Sequence, residues 1–318
     1  MKTQEAKRKS VKFADGEVTT TEFLAEGHNF CTGCGESLGI RMALKALGEN
    51  VIAVNATGCA EVCTTPLPYT SWRIPWIHTL FENVGAVVSG VEVGLKILVS
   101  KGRIEDRGIK CVAMGGDGAT SDIGLQALSG AFERGHDFLY ICWDNEAYMN
   151  TGIQRSSATP YGAATTTAPA GKQSIGQITR KKNMPAIAAA HDIPYVATAS
   201  PSYRMDLMKK IKKGAETEGP AYVHVLVPCP TGWRHGGEVT IELGKLAVQT
   251  GIFPLYEIEN GRYKLNADPP ELKPVKEYLK MQGRYRHLSD ADIEKIQAMV
   301  NADYARLKEK VAASSASS

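Results

Sequence analysis

Residues 109–154 hold the strictest constraint in this chain. An apolar run, Ile109–Met114, leads into Gly115-Gly116-Asp117-Gly118. Ser121–Arg134 then carries Ile123, Leu125, Ala127, Leu128, Ala131 and Phe132 at helical spacing, and a second apolar run, Phe138–Trp143, ends in Asp144-Asn145. Strand, glycine turn, helix and strand in that order imply a parallel pair joined by a right-handed crossover. A glycine-rich turn opening a helix offers free backbone N–H groups and the positive end of the dipole to a phosphate. Asp117 sets a carboxylate beside that phosphate, which is repulsive unless a cation lies between them. A hard cation with oxygen ligands, Mg²⁺ or Ca²⁺, bridging Asp117 to a diphosphate reconciles the two. Asn145 ends the next strand at the same C-terminal edge of the sheet, where its amide oxygen and a nearby carbonyl can complete the metal shell. The competing reading is a Rossmann nucleotide turn, but the G-x-G-x-x-G spacing is missing.

The chain of 318 residues suits one large α/β domain with an appendage. A net charge of +3 with both signs mixed argues against a nucleic-acid partner. No apolar run approaches the ~20 residues that span a bilayer, and no signal-peptide pattern opens the chain, so a cytoplasmic protein is expected. Residues 1–20 read as a charged, solvated arm. Strands alternating with helical patterns over 21–235 predict a doubly wound, mainly parallel α/β domain. Within it, Leu38–Leu47, Asn83–Ser100 and Tyr203–Glu216 read as helices, the last with Lys209, Lys210, Lys212 and Lys213 on its outer face. Val51–Val54, Tyr195–Ala197 and Ala221–Val227 read as strands. Cys63–Phe81 and Thr151–Met184 read as loops, the second long enough to be functional or mobile. In an extension over 236–318, Asn260-Gly261 between two short strands predicts a hairpin. Two helices should follow, the second starting near Ser289, before an Ala/Ser tail from Ala312 that is expected to be disordered.

Seven cysteines in a cytosolic chain point to metal ligands or buried thiols rather than disulfides. Cys31 and Cys34 are spaced to converge on one centre, while Cys59 and Cys229 each follow a strand. Four thiolates suit Zn²⁺ or an iron–sulfur cluster, and the two solitary ligands favour a [4Fe–4S] cluster over zinc. Cys63, four positions after Cys59, competes for the third place. Cys111 and Cys142 lie within apolar strands and read as core.

Gly116-Asp117-Gly118 followed by Asp144-Asn145 resembles the signature of thiamine diphosphate enzymes, with Asp144 standing where an asparagine is usual. With Gly27-His28, Cys31-Thr32-Gly33-Cys34-Gly35-Glu36, Asn55-Ala56-Thr57-Gly58-Cys59, Tyr148-Met149-Asn150-Thr151-Gly152 and Pro228-Cys229-Pro230-Thr231-Gly232-Trp233, the chain resembles the thiamine diphosphate-binding β subunit of 2-oxoacid:ferredoxin oxidoreductases of the pyruvate type. The resemblance implies oxidative decarboxylation of a 2-oxoacid with coenzyme A and ferredoxin. It implies cluster ligands Cys31, Cys34, Cys59 and Cys229, and metal ligands Asp117, Asn145 and the Ala147 carbonyl. Gly116, Gly118, Ala119 and Thr57 would border the cofactor, and Asn150 and Glu36 its reactive end. It also implies an α subunit carrying the pyrimidine-side domain, and γ and ferredoxin-like δ subunits or a fusion of them. Pyruvate is the favoured substrate, with oxalate, 2-oxoglutarate, branched-chain and aryl 2-oxoacids open. Readings of another class are a non-catalytic metal-bearing scaffold subunit and a nucleotide-binding oxidoreductase half.

Overall fold

The computed structural model describes residues 10–13, 16–66 and 69–316, with side chains from Thr19 onward. Strands β1 (Ser10–Phe13) and β2 (Gly16–Thr19) form a short antiparallel ribbon within the expected arm. Positions 1–9 of the arm lie outside the described residues. The domain then runs α1 (Gly35–Leu47), β3 (Val51–Ala56), α2 (Cys59–Thr64), β4 (Trp76–Thr79), α3 (Val84–Ser100), β5 (Lys110–Gly116), α4 (Leu125–Glu133) and β6 (Phe138–Asp144). A long segment with the small ribbon β7 (Ala170–Gly171) and β8 (Ser174–Ile175) leads to α5 (Met184–Ala189), β9 (Tyr195–Ala199), α6 (Arg204–Glu216) and β10 (Ala221–Leu226). There follow α7 (Pro230–Trp233), α8 (Thr240–Gln249), the hairpin β11 (Tyr256–Glu259) and β12 (Arg262–Leu265), α9 (Val275–Lys280) and α10 (Asp290–Ala316).

Eight strands make one sheet in the order β12-β11-β9-β10-β6-β5-β3-β4. The six from β9 to β4 are parallel, and the predicted Asn260-Gly261 hairpin continues the sheet antiparallel beyond β9. Strand alternation builds two cores. Leu139, Ile141 and Trp143 face α1 and α6, while Phe138, Tyr140 and Cys142 face α3 and α4. Cys111 and Cys142 are buried core residues, as expected. Register aligns the strand ends: Gly116 sits opposite Trp143, and Asp144 opposite Leu226. Thr57, Asp117, Asn145 and Cys229 therefore leave the sheet along one edge.

Several expectations need correction. Cys63–Phe81 is not loop throughout, because β4 pairs parallel with β3 through Trp76–Thr79. The helix after the glycine turn begins with a π-type turn, Ala119–Ile123, and settles into α-geometry only at Leu125. Helix α8 was not expected, although Leu243, Leu246 and Ala247 bury one face of it. Lys210 does not lie on the outer face of α6; it is buried, donating to Asp206 Oδ2 at 2.7 Å and the Thr198 carbonyl at 2.9 Å. Lys213 turns to Glu257 and Glu259 of the hairpin. The tail from Ala312 is helical to Ala316, with Ser314 Oγ accepting from the Tyr263 N–H at 2.9 Å. Ser289 and Asp292 cap this helix reciprocally. Among the described residues no helix is long and apolar enough to cross a membrane.

Candidate functional site

A narrow cleft opens at the C-terminal edge between the turns that follow β3, β5 and β6. Gly116, Asp117, Gly118 and Ala119 line it together with Glu36, Thr57, Cys59, Asn145, Ala147 and Asn150. The turn after β5 is close-packed. A Cβ on Gly118 would stand 2.2 Å from the ring of Tyr148, so any larger residue there would have to displace that ring. Tyr148 hangs over the turn with its hydroxyl 3.3 Å from the Gly118 carbonyl and its ring 6.0 Å from Phe81. Thr57 Oγ1 is spent on the Thr79 carbonyl at 3.0 Å and on His78 Nε2 at 2.9 Å. Asn150 is exposed at the mouth of the cleft.

Asp117 and Asn145 are both buried. Burial, and then the nearby Asp144 carboxylate, raises Asp117 well above the usual aspartate range. Ser156 Oγ, from the long segment after β6, donates to Asp117 Oδ2 at 2.5 Å. Asn145 can present its amide in two ways. With nitrogen inward it donates to the Ala147 carbonyl at 2.8 Å and to Asp117 Oδ1 at 3.1 Å. With oxygen inward, three oxygens converge at those same separations, a repulsive cluster without a cation. Mg–O bonds of ~2.1 Å at right angles set neighbouring oxygens ~3 Å apart, so the donor set fits a hard octahedral ion.

Asp144 takes no part in that trio. Burial alone would raise it, but Lys181 and His224 outweigh burial and hold it well below the usual range. His224 Nε2 lies 2.8 Å from Asp144 Oδ2, and the Tyr222 hydroxyl 2.7 Å from His224 Nδ1. Lys181 pairs with Asp144 and also with Glu146 Oε1 at 2.8 Å. These partners escaped the sequence reading, as did Arg284, Trp233 and Ser156.

The cysteines meet beside the cleft. The Cys31–Cys34 turn docks on the loop after β10, where the Gly35 N–H donates to the Pro228 carbonyl at 3.1 Å. Gly33, with φ +76°, packs so closely on Gly237 that a Cβ would fall 2.4 Å from its Cα. Thr231 Oγ1 lies 3.5 Å from Cys31 Sγ, and the Gly232 N–H 3.3 Å from Cys229 Sγ. Burial, reinforced by Glu36, raises Cys34 and Cys59 far above the usual thiol range, and burial pushes Cys229 up to about 11. Cys34 and Cys229 charges each add to the rise at Cys59. Burial favours the neutral thiol at each of these positions, so a metal held there would have to displace the protons. Cys63 is one turn beyond Cys59 on α2, and burial pushes it to about 11. Gly58, which precedes Cys59, is extended (φ 161°), and no protein atom lies within 4 Å of where its Cβ would be. Glu36, between the two corners, is pushed up to about 8 by burial, against a hydrogen bond from Asn145. Among the described residues no group of three or more His, Cys, Asp or Glu side chains is arranged to hold a metal ion by itself.

Residues 56–225 match the family described as thiamine pyrophosphate enzyme, C-terminal TPP binding domain. The chain is 59% identical to pyruvate synthase subunit PorB of Methanocaldococcus jannaschii over 88% of its own length and 94% of the relative's. It is 58% identical to the same subunit of Methanothermobacter thermautotrophicus, over 90% and 97%. Ketoisovalerate oxidoreductase subunit VorB of Pyrococcus abyssi is 51% identical over 89% and 91%. The fold is similar to that of 2-oxoglutarate:ferredoxin oxidoreductase from Magnetococcus marinus, with a TM-score of 0.54, 22% identity, and 87% of this chain and 94% of that one covered.

Proposed function

Because the chain belongs to the thiamine diphosphate-binding β subunits of pyruvate:ferredoxin oxidoreductases, and is thus part of a 2-oxoacid oxidoreductase, we propose that it serves the oxidative decarboxylation of pyruvate. In this reading it holds the diphosphate end of the cofactor, a bridging Mg²⁺ and one [4Fe–4S] cluster. The observation that carries the reading is the approach of Asn145 to the Ala147 carbonyl and Asp117 Oδ1 at 2.8 and 3.1 Å. When bound, thiamine diphosphate supplies an electron sink at the 2-oxo carbon, and the cluster supplies one-electron acceptance.

The chain's own residues do the rest. Backbone N–H groups at Gly116–Ala119 would meet the phosphates, and Asp117, Asn145 and the Ala147 carbonyl would hold the cation. Phe81 and Tyr148 exclude water from that end. Asn150, at the mouth, orients the substrate. Glu36, raised to about 8 by burial, keeps its carboxyl proton at neutral pH and so holds a proton rather than a charge between cofactor and cluster. Cys31, Cys34, Cys59 and Cys229 ligate the cluster. The pyrimidine side of the cofactor comes from an α subunit, and γ and ferredoxin-like δ subunits, or a fusion of them, carry electrons on to ferredoxin. Coenzyme A takes the acyl group. The cytoplasm, where free thiols stay reduced, suits the seven free cysteines.

Pyruvate is favoured because the pyruvate synthase subunits at 59% and 58% identity stand above the ketoisovalerate subunit at 51%. The test is a panel of 2-oxoacids on the assembled enzyme with a viologen acceptor, alongside thiochrome and iron–sulfide analysis. Pyruvate should give the highest kcat/KM, and this chain alone should give no turnover. A branched-chain optimum would move the substrate, and a complex free of thiamine diphosphate and iron would leave only a scaffold role.

A further inference from the structure

Glu146 lies between the two residues that turn oxygens toward Asp117, and its backbone is left-handed, with φ 70°. That conformation is uncommon for a residue with a side chain. It is held here from every direction. The Glu146 N–H donates to Asp144 Oδ1 at 2.9 Å, and its carbonyl accepts from Thr159 Oγ1 at 2.7 Å. The preceding carbonyl, of Asn145, accepts from Trp233 Nε1 at 2.8 Å. Its carboxylate takes Lys181 Nζ at 2.8 Å and Arg284 Nη2 at 2.5 Å. Arg284 arrives from the segment between α9 and α10 and is buried. Its guanidinium lies 4.1 Å from the Trp233 ring and 4.9 Å from the Tyr285 ring, and its Nε donates to Gln282 Oε1 at 2.9 Å. A planar guanidinium stacked on Trp233, tied at Nη2 to the Glu146 carboxylate and at Nε to Gln282, has its direction fixed as well as its charge, which a lysine cannot match.

We propose that Arg284 is a positioning residue for the divalent cation: through Glu146 it holds the left-handed turn that aims the Asn145 amide and the Ala147 carbonyl at Asp117. The C-terminal extension would then govern cation affinity without touching the cation. This inference rests on the reading of Asp117, Asn145 and Ala147 as the cation's donors. Residues that orient ligands in this way are worth about 10–100-fold in metal affinity.

The test is an Mg²⁺ titration of the assembled complex at fixed thiamine diphosphate, read as cofactor retained by thiochrome and needing no turnover. Arg284→Met should raise the Mg²⁺ needed for half-retention by about 10–100-fold, and Arg284→Lys should fall between it and wild type. Glycine adopts positive φ freely, so adding Glu146→Gly to Arg284→Met should recover at least about tenfold of the loss. A purely structural arginine would lower the melting temperature but leave the Mg²⁺ midpoint where it was. That outcome for both single variants, or a double variant no better than Arg284→Met, overturns the inference and leaves the donor reading intact. Retention in the wild type that is indifferent to EDTA would remove both.

Discussion

Two corners share one sheet edge and are finished to different degrees. At the Asn145–Ala147 turn, Lys181, Arg284, His224, Ser156, Thr159 and Trp233 already meet the inward-facing polar groups. At the cysteine corner, burial and then Glu36 push Cys34, Cys59 and Cys229 up, and neighbouring cysteines add to the rise. The first corner is preorganised by the protein. On the proposed reading, the second would take its final form from the inorganic group, since metal binding at such a site is itself folding free energy.

The strongest way to break the comparison is at Cys59. Cys59→Ser should abolish the low-temperature EPR signal of the reduced [4Fe–4S] centre and all activity, while cofactor retention persists. Cys63→Ser should keep both near wild type, and the reverse result would move the ligand one helical turn along α2. Stripping iron from the complex comes next. Hydrogen exchange should rise across residues 28–36 and 228–233 and stay flat across 144–147; equal loosening of both would erase the distinction. Lys181→Met should then expose the cost of preorganisation. It leaves the buried Asp144 and Glu146 carboxylates short of a shared cation, a change expected to destabilise by ~3–5 kcal/mol, visible in thermal melts with the EPR signal unchanged. Asp117→Ala removes the formal charge under the cation, and thiamine diphosphate retention at sub-millimolar Mg²⁺ should fall ~10–100-fold with the iron content intact. Normal retention would end the assignment.

The smallest effect lies far from both corners. Arg41, and then Lys45, holds Glu22 near 2 against a usual 4.5. A depressed carboxylate contributes in full above about 4.5, and the contribution is lost as pH falls toward 2. Glu22→Gln should therefore cost less than ~1 kcal/mol at pH 7, with the difference shrinking on acidification and neither corner affected. A difference that grew in acid would reverse the sign assigned here.

Legibility in the sequence followed locality. The glycine turn, the strands on either side and the cysteine spacing are short-range patterns, and the β5–β6 register brings their ends together. The supports of the turn are not local: Lys181 stands 35 positions from Glu146, and Arg284 stands 138 away. No periodicity marks either one, and Arg284 reads as an ordinary surface arginine until Trp233 and Tyr285 are seen to enclose it. The lysines of α6 misled through composition. A charge cluster on a helix suggests a solvated face, yet Lys210 reaches inward to the Thr198 carbonyl and Lys213 ties the hairpin to the helix.

Strand β4 ends the sheet with its outer edge unpaired by any described strand of this chain. Ile77 on that strand, Leu80 just past it and Tyr69 before it are exposed, as are Val93, Ile97 and Leu98 of α3. An open edge flanked by apolar side chains is a template for unwanted strand addition, and no lysine or proline within Trp76–Thr79 blunts it. Production of the chain by itself is therefore a solubility problem before it is an activity problem. Overexpressed without companions, it should accumulate as soluble oligomers or inclusion bodies, and a single Ile77→Lys exchange should raise the soluble monomer fraction.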